Sequence, residues 1–219
     1  MTQWCIKFQL PDTITLEYQE NNVVKSKKIL PKDMLECLSN SRRKAALHTG
    51  ILPPGCVCFS ELSDGGTSII MEYQEDTIHF IYKEWEFPSF PVPRLLMGFF
   101  LNASGNILRI HLGVPDLGPL TPKTQMFFYP FSNVNGFSLC WGSNQLPAVK
   151  DFSVLPELVK TILEFPNNDD YYSNAHNKAK MEYGNLIDHL KDKDREYYYK
   201  EVLIPMKKDL EYFCLSGLN

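Results

Sequence analysis

Apolar and polar residues alternate over the first thirty positions. Trp4–Leu10, Thr13–Tyr18 and Val23–Ile29 each carry the two-residue period of a short strand, with Pro11-Asp12 and Asn21-Asn22 as turns. A helix is expected from Pro31 to Leu38, where a proline opens the segment and apolar residues recur at i, i+3 and i+4. Ser39–His48 extends that pattern, and Gly50 with Pro53-Pro54-Gly55 ends it.

From Cys56 to about Phe128 the pattern is that of an antiparallel meander. Its candidate strands are Cys56–Leu62, Ser68–Tyr73, Ile78–Trp85, Arg94–Leu101, Asn106–Leu112 and Gln125–Tyr129. Turn chemistry separates them at Asp64-Gly65-Gly66, Pro88-Ser89-Phe90-Pro91 and Ala103-Ser104-Gly105. Helical periods return only after Cys140, in Phe152–Phe165, Lys178–Lys191 and Tyr197–Phe213, the last broken at Pro205. Strands in one block and helices in the next predict an α+β fold. The expected organisation is a β-rich N-terminal extension with a helix (1–50), a central domain (51–177) and a helical C-terminal tail (178–219).

Composition narrows the function classes. Of 219 residues, 44% are hydrophobic, enough for a packed core. The net charge of −4 gives no general attraction for phosphate backbones, so nucleic-acid binding would need a local basic patch. The basic clusters at Lys25–Lys28, Ser41–Lys44 and Lys200–Lys208 are interrupted by acidic or apolar residues and read as solvated faces. No apolar run approaches the roughly 18 residues of a membrane span. The start MTQWCIKFQL has no basic segment followed by an apolar one, so a cytoplasmic location with free thiols is expected for the six cysteines. Cys56 and Cys58 fall in an alternating run that would put both on one face of a strand. No second cysteine pair follows at zinc-ligand spacing, and no metal or cofactor is expected.

Candidate chemistry concentrates in Thr121–Pro147, TPKTQMFFYPFSNVNGFSLCWGSNQLP. A strand leads into an irregular loop rich in Asn and Gly, and Cys140 follows it. A cysteine beyond such a loop can be exposed without disturbing a core. Nearby amides can stabilise its thiolate, or an oxyanion on an acyl group it carries. Asn133, Asn135 and Asn144 supply amide side chains within a few residues.

This stretch resembles the ubiquitin-conjugating enzymes, whose active-site region has a His-Pro-Asn turn, a glycine and then the cysteine. It is closer to the prokaryotic conjugating-enzyme-like family D, which includes the PRTRC protein B group. The matching residues are Leu52-Pro53-Pro54-Gly55, Thr121-Pro122, Phe131-Ser132-Asn133-Val134, Gly136, Cys140-Trp141-Gly142, the aromatic pair Tyr171-Tyr172 and His176. The histidine of the His-Pro-Asn turn is absent, and Tyr129-Pro130 stands where that turn would begin. The resemblance implies a conjugating-type meander with flanking helices. It also implies a thioester on Cys140, Asn133 as the oxyanion donor, and His176, Asn135, Asn144 and Tyr129 around the site. The implied partners are a ubiquitin-like protein and a ThiF-like activating enzyme, with a JAB-type metalloprotease in the same bacterial pathway.

Other readings stand beside this one. Cys140 can be a buried small residue, as many free cysteines are. Cys140 with His176 or His111 as base would make a cysteine hydrolase. A conjugating fold without activity would be a binding module. His48, His79, His111 and His189 read as structural, and Cys5, Cys37, Cys56, Cys58 and Cys214 as core.

Overall fold

The computed structural model describes residues 4–9, 13–20, 23–41 and 51–217. The chain divides into two compact units, Met1–Gly50 and Ile51–Asn219. The expected turns at Pro11-Asp12 and Asn21-Asn22, His48 and the helix extension through it, and the Gly50 break lie outside the described residues.

In the first unit β1 (Trp4–Gln9), β2 (Thr13–Glu20) and β3 (Val23–Ile29) form an antiparallel sheet in that order. Helix α1 (Pro31–Ser41) begins at the proline, whose missing N–H costs nothing in a first turn. Cys5 and Cys37, expected in a core, are both exposed. Ile6, Val23 and Val24 are exposed with them, because one small sheet and one helix bury few side chains.

The second unit is α+β and mostly antiparallel. Its strands are β4 (Cys56–Glu61), β5 (Thr67–Tyr73), β6 (Thr77–Tyr82), β7 (Trp85–Pro91), β8 (Leu95–Leu101), β9 (Ile107–Pro115), β10 (Gln125–Phe127), β11 (Val134–Asn135), β12 (Ser138–Leu139) and β13 (Pro205–Asp209). The main sheet runs β11-β12-β9-β8-β5-β4, and β10 joins β9 to β13. The ribbon β6-β7 stands apart as a separate pair. The sequence places one strand over Ile78–Trp85 and a turn over Pro88–Pro91, but the chain reverses earlier, at Lys83, which has φ 54. Pro88 and Ser89 then fall in a register slip of the two-stranded ribbon, where a proline removes no ladder hydrogen bond.

A bulge also overturns the placement of Cys56 and Cys58 on one face. Cys56 pairs with Met71 and Cys58 with Ile70, neighbours whose side chains point to opposite sides of β5. Cys56 packs against the larger core and Cys58 against the smaller one.

The two cores lie on the two faces of the sheet. The larger includes Ile69, Met71, Met97, Phe99 and Leu112, covered by α2 (Leu155–Leu163) and α3 (Tyr183–Leu190). The smaller contains Ile70, Leu96, Met126, Phe137, Leu210 and Phe213. With both faces covered, β8 is buried at every position. The pattern over Tyr197–Phe213 is not one helix. It divides into α4 (Arg195–Tyr197), a π-helical turn at Tyr198–Val202, β13 and α5 (Leu210–Leu215). Pro205 has no N–H to continue a helix, and β13 pairs with β10 instead. Asp209 then caps α5, its carboxylate accepting from the Tyr212 amide at 2.9 Å. Residues 178–217, expected as a helical tail, complete the packing of this unit: Leu186, Ile187, Leu190 and Tyr198 are fully buried. Among the described residues no helix is long and apolar enough to cross a membrane.

Candidate functional site

The chain reaches Cys140 from a buried anchor. Phe131 and Ser132 are 2% and 1% exposed. The Ser132 amide donates to the Tyr183 hydroxyl at 3.2 Å, and its own hydroxyl lies 3.0 Å from that oxygen and 3.1 Å from Asn167 Oδ1. A buried polar group without partners is costly, so this trio holds the loop to α3 and to the chain after α2. Burial pushes the Tyr183 phenol well above its ordinary range and keeps it a neutral donor. Tyr129, implied as part of the site, is instead core. It packs edge-on against Phe131 at 5.4 Å, and burial pushes its phenol far up as well.

Asn133 comes next, with φ 63. Asn tolerates this left-handed conformation better than most residues. Its amide donates to the Asp170 carbonyl and its carbonyl accepts from the Cys140 amide, both at 2.8 Å. The segment read as an irregular loop is a hairpin, with Val134 opposite Leu139 and Asn135 opposite Ser138. Gly136 takes φ 62 at the first turn position, as a type II′ turn requires. Phe137 enters the smaller core against Phe213, ring centroids 4.9 Å apart, and its carbonyl accepts from Leu112 at 2.8 Å. Cys140 emerges at the end of β12 and is exposed.

Cys140 lines a surface cavity of about 510 Å³. Asn135, Ser138, Leu139, Trp141 and Gly142 contribute from its own segment, Leu108 and Arg109 from β9, and Tyr171 from the loop after α2. Of the implied site residues, Asn135 shares this wall with Cys140. Asn133 is joined to Cys140 through the backbone bond. Asn144 lies outside the lining, and its side-chain amide is committed to the Trp141 carbonyl at 2.8 Å. His176 stacks flat on Phe128, 4.5 Å between ring centroids, and does not line the cavity.

His111 is buried at 5% exposure, and burial drives its imidazole down to about 4, so the ring is neutral at pH 7. It belongs to the far face of the sheet with Phe100, Phe137 and Phe213. His79 pairs with Glu86 across the β6-β7 ribbon, and His189 with the Tyr197 hydroxyl. Thus no imidazole lines the Cys140 cavity among the described residues. Cys56, Cys58 and Cys214 are half-buried, and burial pushes the Cys56 thiol up. No group of three or more His, Cys, Asp or Glu among the described residues is placed to hold a metal ion.

Sequence reading missed Arg109, the cationic group of the cavity, whose guanidinium also donates to the Gly217 carbonyl at 3.4 Å. The available signal was a lone charge within the apolar strand ILRIHLGV. The Ser132–Tyr183–Asn167 trio had no signal, since its members become neighbours only in the fold. Comparison with family models, with curated proteins and with solved structures finds no match to this chain.

Proposed function

We propose that Ile51–Asn219 is a ubiquitin-conjugating-like unit that carries a ubiquitin-like protein as a thioester on Cys140 and passes it to an amine. The observation that carries this reading is the exposed Cys140 at the end of a backbone-pinned hairpin, in a surface cavity of about 510 Å³. The order of an antiparallel meander, a cysteine segment and then core-covering helices also suits a conjugating-type fold.

Loading requires the Cys140 thiolate to attack the thioester carbonyl presented by a ThiF-like activating enzyme. A new C–S bond forms, and the enzyme's thiolate leaves. An acceptor amine then attacks, a C–N bond forms and the oxygen bears negative charge; the C–S bond then breaks, and the departing Cys140 thiolate takes up the proton that the amine loses. The acyl group arrives already activated, so transfer does not require an imidazole at the cavity, and none lines it among the described residues. The Cys140 amide is already donated to Asn133, so charge on the oxygen must be met by the Asn133 or Asn135 amides and by the field of Arg109.

A binding module is the second reading, favoured by one observation. Asn133 is bonded through its backbone on both sides, which suits a turn residue as well as a donor. Incubation with the cognate activating enzyme, ATP and the ubiquitin-like protein distinguishes them. Transfer predicts a reductant-sensitive adduct that Cys140→Ser converts to an oxyester or abolishes, and that Cys37→Ser, at another exposed thiol, leaves intact. No adduct with authentic partners supports the binding module.

A further inference from the structure

Two other thiols of the second unit pack against the smaller core, Cys58 from β4 and Cys214 from α5. Both line one cavity of about 350 Å³, walled by Val57, Leu120, Leu210 and Leu215. Each thiol is close enough to shift the ionisation of the other. The pair depends on two specific devices. The bulge after Cys56 turns Cys58 toward α5, and the Asp209 cap sets the turn of α5 that brings Cys214 round with Leu210. The cavity reaches solvent beside Thr121, Pro122 and Glu211, all exposed.

We propose that Cys58 and Cys214 form a redox-active dithiol, which a peroxide oxidises to a disulfide that ties α5 covalently to β4. The two thiols line one cavity and pack on one core, so the link requires them to close to the separation that a disulfide spans within that cavity. Cys58 is the attacking member. The neighbouring Cys214 side chain holds its thiol down at about 6, while Cys58 in turn pushes Cys214 up and keeps it protonated. The Cys58 thiolate attacks one oxygen of hydrogen peroxide, the O–O bond breaks, and the departing hydroxide takes a proton to become water. This leaves a sulfenic acid on Cys58. The Cys214 sulfur then attacks the Cys58 sulfur, the S–O bond breaks, and the second water leaves with the Cys214 proton. Two thiols are oxidised and one peroxide is reduced to two waters. Cys56 cannot substitute, since it packs against the other core.

The proposal is independent of any chemistry at Cys140, and its test reads neither loading nor transfer. The reduced full-length chain is treated with hydrogen peroxide, quenched with N-ethylmaleimide, digested and mapped by mass spectrometry. The expected product is an intrachain link between the Cys58 and Cys214 peptides, reversed by dithiothreitol and accompanied by a rise in Tm. In Cys214→Ser, dimedone should trap the sulfenic acid on Cys58. Recovery of both thiols as maleimide adducts while other cysteines are oxidised overturns the proposal. So does a Cys58 link to any other cysteine or to a second copy of the chain. A Tm that stays level or falls on oxidation overturns the tie between α5 and β4.

Discussion

The carbonyl of Asn133 accepts the amide of Cys140 at 2.8 Å, which closes the neck of the hairpin that presents the thiol. Asn133 does this at φ 63, so its backbone and its side chain can be tested apart. Asn133→Gly keeps the left-handed turn and removes only the side chain. If that amide meets the oxyanion, the variant should melt like the parent and load normally. Its amine discharge should slow by roughly a hundred- to a thousandfold, the usual effect of losing one preorganised donor. Asn133→Ala keeps the Cβ but removes the polar side chain that lets Asn tolerate the left-handed turn, at a cost of up to about 1–2 kcal/mol, and should lower stability as well. Unchanged discharge in Asn133→Gly would leave Asn133 as a turn residue.

The anchor beneath the hairpin gives a prediction about stability. Tyr183→Phe removes the hydroxyl that the Ser132 amide and side chain meet, in a site closed to water. Stranded polar groups of this kind cost about 1–3 kcal/mol, and the urea midpoint should fall accordingly. Tyr183→Phe with a midpoint equal to the parent's would mean that the trio does not hold the loop.

His111 makes stability depend on pH. Its folded imidazole is held at about 4, below the unfolded value of 6.5, so between these values the unfolded chain takes a proton that the folded chain refuses. Stability from this group is complete above about pH 6.5 and is lost as pH falls toward 4, with a slope of at most ~1.4 kcal/mol per pH unit. Urea melts across that window should show the slope. His111→Gln, which keeps a donor but no titrating ring, should flatten it. An equal slope in the variant would assign the acid sensitivity to other groups.

Gly113 lies directly under α5. A Cβ there would stand 2.8 Å from both the Phe213 ring and the Met126 terminal methyl. Gly113→Ala should therefore lift α5 and destabilise the unit by about 1–3 kcal/mol, the usual cost of overpacking. Near-ultraviolet circular dichroism should report the disturbed aromatic packing around Phe137 and Phe213.

Thiol labelling checks the exposure of the proposed nucleophile. In the native chain Cys140 should be alkylated ahead of Cys56 and Cys214, alongside the exposed Cys5 and Cys37. Labelling of Cys56 before Cys140 would contradict the placement of the hairpin.

The meander was legible because Gly65, Gly66 and Gly105 mark its turns and apolar residues fill the strands between them. The turn at Lys83 was not, since a lysine at positive φ carries no local signal. The helix-like spacing of Tyr197–Phe213 concealed β13, whose identity depends on a distant partner, β10. At the site, sequence pointed to the exposed Cys140 and to the Asn133–Gly136 turn. It could not bring Arg109 to them, because that neighbourhood is made by β9 lying against β12. The bulge between Cys56 and Cys58 escaped for a similar reason: one extra residue reverses facing without altering composition.

The placement of α5 also governs when this unit can fold during synthesis. Leu210 and Phe213 belong to the smaller core, and β13 pairs along β10, so both features wait for residues 205–213 to be made. Chains emerge from the ribosome N-terminus first. A nascent chain halted before Leu210 lacks the helix that covers Ile70, Leu96 and Met126, and these three side chains then offer apolar surface to chaperones. The hairpin beneath Cys140 shares that wait, since Phe137 has no Phe213 to pack on until that residue is made. Competence at the cysteine is therefore acquired only after about seventy further residues have followed it, on the order of several seconds of synthesis.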